Sequence, residues 1–336
     1  MKTRQKRIIR NWLYSGLLLI ALMVIIGGIT RLTHSGLSIV EWKLIGGAIP
    51  PLNDVQWQET FEKYQQFPEY QTINTSMQLA EFKVIFFWEY LHRLLGRLIG
   101  LVFIIPFVLF WIKKWFNPKQ KKQLLILFGL GALQGFLGWF MVKSGLVDVP
   151  AVSHFRLAIH LVTAFGVMCY IYWLILSFTE TETSTNKTIN KLSQYLILAL
   201  FIQIIYGAFV AGLKAGYLLP VNEGIFGSVF GYSFRNSNDF NLLNNSFDIQ
   251  AFHRLFAWVV FAITLIIFNK TRKTELAKAG TLVLGLTMAQ IILGISTLLL
   301  SVQIHTAITH QFIAIILLLS AVRLTYLSSE KSQLSA

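Results

Sequence analysis

Four of the seven histidines in the 336-residue chain, His92, His160, His253 and His310, fall inside long apolar stretches. Ionisable side chains in such surroundings are costly and tend to be retained for function. On approximate stretch boundaries each lies roughly 5–11 residues in, a depth of about 8–16 Å at 1.5 Å per helical residue. All four stretches enter from the same side, so the histidines form two pairs at similar depth. Two neutral imidazoles facing each other across a helix bundle are the ligation that a haem iron takes. Gly96, Gly100 and Gly166 leave room nearby for a flat macrocycle. A histidine that only hydrogen-bonds a neighbouring helix is the plain alternative for one such residue, and a weaker account of four at repeat-related positions. Zinc is disfavoured, because no short segment supplies three or four ligands. His154 and His305 precede His160 and His310 by six and five residues, at helix starts where an interfacial histidine is cheap, and His34 sits in a loop motif.

One carboxylate stands beside this set. Glu89 precedes His92 by three residues, whereas Gln250 precedes His253 by three. That spacing puts both partners on one helical face. A carboxylate beside one pocket and its neutral isostere beside the other imply two roles, chemistry at the first and electron carriage at the second. The competing reading is an i,i+4 ion pair between Glu89 and Arg93. Arg93, Arg97 and Arg254 are candidate counter-charges for propionates or partners in salt bridges between helices.

The elements that must position these residues follow from composition. Hydrophobic residues make up 55% of the chain and charged residues 13%, against about 25% charged in soluble domains, and the mean hydropathy is +0.60. A soluble enzyme is excluded. The net charge of +14 resides in short tracts between apolar runs, the pattern of membrane topology, which also excludes a nucleic-acid binder. The single cysteine, Cys169, lies in an apolar run, so there is no disulfide framework. Eight stretches reach the roughly 20 residues needed to cross a bilayer: 12–32, 82–112, 122–142, 155–178, 192–213, 249–268, 276–300 and 304–326. The second is overlong and predicts a protruding or tilted helix, with Pro106 as a kink. The first follows Lys2, Arg4, Lys6, Arg7 and Arg10 but leads into Gly27-Gly28-Ile29-Thr30-Arg31 without a small-residue cleavage site, and so reads as a retained helix.

Basic residues at the N-terminus, at 113–122 and at 270–278 share one face if there are eight crossings, which places both termini in the cytoplasm. The loop holding Glu180, Glu182, Lys187 and Lys191 is mixed in charge. The long loops, 33–81 and 214–248, face outward; the first carries Trp42, Pro50, Pro51, Trp57, Tyr64, Pro68 and Tyr70 and predicts an ordered cap. Cut near residue 185, the chain repeats. Gly27 and Gly36, His92-Arg93-Leu94, Gln134-x-x-Leu137-Gly138 and His160 recur in order as Gly207 and Gly216, His253-Arg254-Leu255, Gln290-x-x-Leu293-Gly294 and His310. The fold class expected is an all-α integral membrane protein with eight transmembrane helices in two pseudo-symmetric four-helix bundles, 1–185 and 186–336, related by an axis along the membrane normal.

Certain segments also resemble a known family. The run from Gly27 to Ser38 (Gly-Gly-Ile-Thr-Arg-Leu-Thr-His-Ser-Gly-Leu-Ser), Glu41-Trp42-Lys43, Pro50-Pro51-Leu52-Asn53, Pro68-Glu69-Tyr70, Glu81-Phe82-Lys83 and Glu89-Tyr90-Leu91-His92-Arg93 are similar to haem A synthases of the form shared by Gram-negative bacteria and mitochondria. The resemblance covers nearly the whole chain. It implies oxidation of the C8 methyl of haem O to a formyl group, giving haem A for cytochrome oxidase. It implies that His92 and His160 face the substrate haem, that His253 and His310 ligate the iron of a haem b cofactor, and that Glu89 is catalytic. Arg31, His34, Arg93, Arg97, His154, Arg254 and His305 are secondary site candidates. The implied partners are haem O, haem O synthase, cytochrome oxidase assembly factors, membrane lipid and an electron donor or acceptor of unspecified kind; association with further copies of the chain is left open, and nucleic acid is excluded. Some Gram-positive members carry a cysteine pair in the first outer loop. None is present here, so no thiol step is carried over. The lack of a long Arg- and Ser-rich presequence favours a bacterial inner membrane. The rival function is a two-haem cytochrome relaying electrons without modifying haem, which leaves the Glu89/Gln250 difference unexplained. A transporter and a haem-transfer chaperone are more distant rivals.

Overall fold

The computed structural model describes residues 3–41, 46–146, 151–179, 184–218 and 240–329. Trp42, Lys43, Glu180, Glu182 and 219–239 of the second outer loop lie outside the described residues. Among the described residues the regular structure is helical throughout: α1 (Thr3–Leu32), α2 (Asp54–Gln65), α3 (Pro68–Thr72), α4 (Leu79–Ile112), α5 (Pro118–Gly145), α6 (His154–Ser177), α7 (Lys187–Gly212), α8 (Ser246–Thr271), α9 (Ala277–Leu299) and α10 (Ile304–Ser328). Eight of them, all but α2 and α3, are long and apolar enough to span a bilayer.

The helices begin where the chain offers a cap. Asn117 accepts the Gln120 amide at 2.8 Å and is followed by Pro118, Asn186 accepts that of Ile189 at 3.0 Å, and Asn245 accepts that of Phe247 at 3.0 Å; each satisfies an amide that has no carbonyl partner inside its helix. Helix ends also outrun the hydrophobic boundaries. The basic N-terminal tail is helical from Thr3, and α4 starts at Leu79, where Glu81 accepts the Gln78 amide at 2.9 Å.

The chain forms two compact units, one of Leu18–His160 and one of Met1–Leu17 with Leu161–Ala336. In the first, the outer end of α4 packs against α2 in an aromatic cluster of Phe61, Tyr64, Phe82 and Phe86. Phe61 and Tyr64 each lie 5.1 Å from Phe82, centroid to centroid, and such pairs contribute about 0.5–1.5 kcal/mol beyond their buried area. The segment expected to form a cap is thus helical over Asp54–Gln65 and Pro68–Thr72 and packs against the N-terminal end of α4.

In the second unit α7 packs on α8, α8 on α9, α9 on α10 and α10 on α7, closing a four-helix ring. Leu196, Ile267, Val283 and Leu324 are buried in it. Hydroxyl and amide groups tie its helices: Asn190 donates to the Thr325 carbonyl at 2.8 Å and Thr325 Oγ1 to Ser193 Oγ at 2.9 Å. Bonds of this kind take the place of hydrophobic association where lipid is as apolar as the helix surface.

Candidate functional site

Within the first unit, His92 on α4 and His160 on α6 are close enough to interact electrostatically. Each ring rests on a glycine of a neighbouring helix. A methyl group at Gly27 of α1 would sit 3.2 Å from His92 Nε2, and one at Gly138 of α5 would sit 3.1 Å from His160 Cε1. A larger residue at either position would require the imidazole to give way by a few tenths of an ångström. Two turns below His92 on α4, Gly100 faces open space.

Glu89 lies one turn outward from His92 and is 3% exposed. Its Oε2 accepts Ser38 Oγ and the Ile39 amide, both at 2.8 Å, and its Oε1 accepts Arg93 Nε at 3.0 Å and Nη2 at 2.6 Å. Arg93 in turn donates to the Ile39 carbonyl at 2.8 Å and the Glu41 carbonyl at 3.3 Å. The ion pair thus exists, and it does more than join two turns of α4. It fastens the non-helical segment 38–41, whose backbone polar groups need partners. Arg93 and Lys143 also line a cavity of ≈ 230 Å³ with Ile39, Val40, Trp139, Val142 and Leu146.

The second unit repeats the plan. His253 on α8 and His310 on α10 lie within electrostatic reach of each other. A methyl at Gly207 of α7 would meet His253 Cε1 at 3.1 Å, and one at Gly294 of α9 would meet His310 Cε1 at 3.0 Å. Gln250, at the position matching Glu89, is likewise buried and donates to the Ala215 carbonyl at 3.0 Å. Glutamate and glutamine therefore share a mechanical task, tying their helix to the turn after the first helix of the repeat. They differ in charge.

His34 and Lys214 occupy matching positions at the ends of α1 and α7, with φ of 53° and 54°. The Ser35 amide bonds back to the Thr30 carbonyl at 2.8 Å, a closure that needs a left-handed residue at the corner. His34 is exposed there and serves as a helix stop. His154 opens α6 with its ring 4.1 Å from that of Phe155, and His305 is exposed at the start of α10. Arg31 Nε, Arg97 Nη1 and Arg254 Nη1 are withdrawn from solvent; Arg97 is one turn beyond Arg93, and Arg254 adjoins His253.

The residues fit a haem in each unit. In each unit two imidazoles lie within electrostatic reach of each other, each beside a glycine of a neighbouring helix. His253 Nδ1 and His310 Nδ1 are buried without hydrogen-bond partners among the described residues, so neither of these nitrogens is committed to a protein partner. Glutamines complete the surroundings. Gln134 Nε2 lies 3.1 Å from His160 Nδ1 and donates to the His160 carbonyl at 3.0 Å, Gln203 Nε2 donates to the His253 carbonyl at 2.8 Å, and Gln290 Nε2 lies 3.2 Å from His310 Nε2. The sequence marks Gln134 and Gln290 as part of the repeat; their contact with histidine, and the part played by Gln203, emerge from the packing.

Comparison with known proteins identifies the family of the chain. The COX15-CtaA family, described as cytochrome oxidase assembly protein, matches residues 10–322. A haem A synthase of Flavobacterium johnsoniae is 45% identical over 333 residues, covering 95% of this chain and 96% of that protein. Those of Flavobacterium psychrophilum and Brucella suis are 42% and 39% identical, again over 95% of this chain and over 96% and 91% of their own lengths.

Proposed function

The chain belongs to the COX15-CtaA family of cytochrome oxidase assembly proteins, and on that premise we propose that it is a haem A synthase, a multi-pass membrane oxidoreductase converting the C8 methyl of haem O to the formyl group of haem A. The observation that carries this reading is the pair of glycine-backed histidine sites, of which, among the described residues, only the first has a buried carboxylate one turn from a histidine. His92 and His160 bind and orient haem O. His253 and His310 would hold the iron of a haem b, which when bound would supply one-electron transfer. Arg93 and Lys143, on the cavity beside Ile39, suit the carboxylate tails of the substrate.

Glu89 faces a constraint of its own. A carboxylate has about four acceptor sites, and four donors already occupy them. As placed, it is a fixed negative charge that stabilises positive charge developing on the substrate as electrons leave. The orientation that matches the basic tracts puts both termini in the cytoplasm of a bacterium, with the enzyme in the inner membrane. Haem O synthase as the source of substrate, and oxidase assembly factors as recipients of product, complete the reading.

The test is expression in a host that makes haem O but no haem A, followed by extraction of the non-covalent haems and chromatography with mass detection. Haem b together with haem A or its hydroxylated precursor is the expected result. Haem b alone, with haem O available, would assign the chain to electron relay.

A further inference from the structure

Three of the four paired histidines are contacted by a glutamine set four residues before the glycine that cradles the ring: Gln134 before Gly138 and Gln290 before Gly294 reach the imidazole itself, and Gln203 before Gly207 donates to the main-chain carbonyl of His253. Four residues is one helical turn, so amide and glycine form one face that grips the histidine of the next helix. The fourth such face, on α1, has Met23 before Gly27. Its methyl lies over α4, where a Cβ on Gly96 would stand 3.2 Å away. Among the described residues no side chain hydrogen-bonds His92. The C-terminal unit therefore clamps both of its histidines, and the N-terminal unit clamps one.

We propose that Met23 is a positioning residue that leaves His92 unclamped so that the haem of the N-terminal site exchanges, while the glutamine clamps make the haem of the C-terminal site resident. The inference rests on the functional reading above in assigning a substrate to one site and a cofactor to the other. The physical reason is direct. An amide donating to a ligand helix or ring must break that bond before the ligand withdraws, whereas a thioether only slides. Groups that hydrogen-bond the ring of a metal-binding histidine change affinity by about ten- to a hundredfold, which bears on Gln134 and Gln290; one neutral hydrogen bond, as Gln203 makes to the His253 carbonyl, corresponds to roughly three- to tenfold in a rate or equilibrium.

The experiment loads the purified full-length protein with haem and mixes it with excess apomyoglobin, following haem transfer by Soret absorbance. Wild type releases haem in a fast and a slow phase, and His92→Ala abolishes or further accelerates the fast one, which assigns it. Met23→Gln slows the fast phase roughly three- to tenfold; Met23→Leu, apolar and of similar volume, leaves it as in wild type. Gln203→Met speeds the slow phase by a similar factor and leaves the fast one alone. A single release phase in wild type overturns the proposal. So do unchanged rates in both Met23→Gln and Gln203→Met, and so does a Met23→Leu variant that behaves like Met23→Gln. These rates are read without turnover, so absence of haem A in the extraction experiment would refute the synthase reading separately from the clamp.

Discussion

Replacing Glu89 by glutamine isolates the carboxylate's two tasks. Glu89 and Arg93 side chains are 4% and 10% exposed, so removing one charge strands the other in poor solvent. Breaking a buried pair in this way costs roughly 3–5 kcal/mol. Glutamine retains one acceptor oxygen but turns an NH2 group toward two of the four present donors, and the lower end, about 3 kcal/mol, is the working figure. At about 1.4 kcal/mol per factor of ten, that is a rise of a hundredfold or more in the opening of segment 35–41. The Ile39 amide reports it directly, since it donates to Glu89 Oε2 at 2.8 Å. The assay is hydrogen exchange with mass detection on a peptide covering 35–41 in detergent or lipid nanodiscs.

A second variant separates docking from chemistry. Glu89→Gln with Arg93→Gln leaves no unpaired charge, and two amides bond each other at i,i+4. It should restore about 2 kcal/mol of protection, a coupling of the size expected for contacting residues. If the carboxylate acts on the substrate, the double variant regains protection without regaining oxidation of haem O. Recovery of both would make Glu89 a docking residue only. Unchanged exchange at 35–41 in Glu89→Gln, within a factor of three of wild type, would refute the network argument altogether.

The remaining predictions address the second unit and the outer cap. Gly207→Ala or Gly294→Ala drives a methyl to 3.1 or 3.0 Å from an imidazole carbon and should lower haem b content by at least half, whereas Gly285→Ala, with nothing within 4 Å, should not; equal haem b in all three by pyridine haemochromogen would refute the cradle. His253→Ala and His310→Ala should each deplete haem b, and full haem b content in either would remove that residue from the ligand pair. In the cap, burial pushes the Tyr64 hydroxyl above its usual value of 10.0, while it donates to Glu69 at 3.1 Å and accepts from Asn74 at 2.8 Å. A folded-state value raised above the unfolded one stabilises the fold below that usual value and ceases to do so as pH rises past it. Alkaline loss of cap stability should therefore begin above about pH 10, and Tyr64→Phe should flatten it; an identical alkaline profile in the variant would sink the assignment.

The eight spans are legible because their length and apolarity are local properties, and the four histidines because a titratable group stands out against such a background. Helix ends are less legible. Hydropathy stops at the last apolar residue, while α1 continues through Arg10, Arg7 and Arg4 to Thr3 and α4 begins with the polar turn capped at Gln78. Likewise the i,i+3 spacing reveals Glu89 beside His92, but not that Ser38 and Ile39, some fifty residues earlier, hold its second oxygen. His34 stands out in its motif as a residue type, but the left-handed corner it occupies at the end of α1 is not written in that pattern. Gln203 carries no mark until the His253 ring is found against Gly207; only then does counting back one turn from each cradle expose Met23 as the exception.

Both departures from the repeat fall on the same helix pair. Glu89 for Gln250 and Met23 for Gln203 flank His92 from α4 and α1, whereas Gln134 and Gln290, on α5 and α9, are alike. Glutamate for glutamine is nearly isosteric, and methionine for glutamine close to it, so each exchange alters charge or hydrogen bonding with little change of volume, the kind of substitution a packed interior tolerates best. On the proposed reading, a glycine–histidine plan used twice could in this way hold one haem fast and handle another without rebuilding the packing around either. The division of labour then rests on which side chains back one histidine, and reciprocal exchange at these two positions should move exchange kinetics and chemistry independently: residence of the haem with Met23 and Gln203, oxidation of it with Glu89 and Gln250.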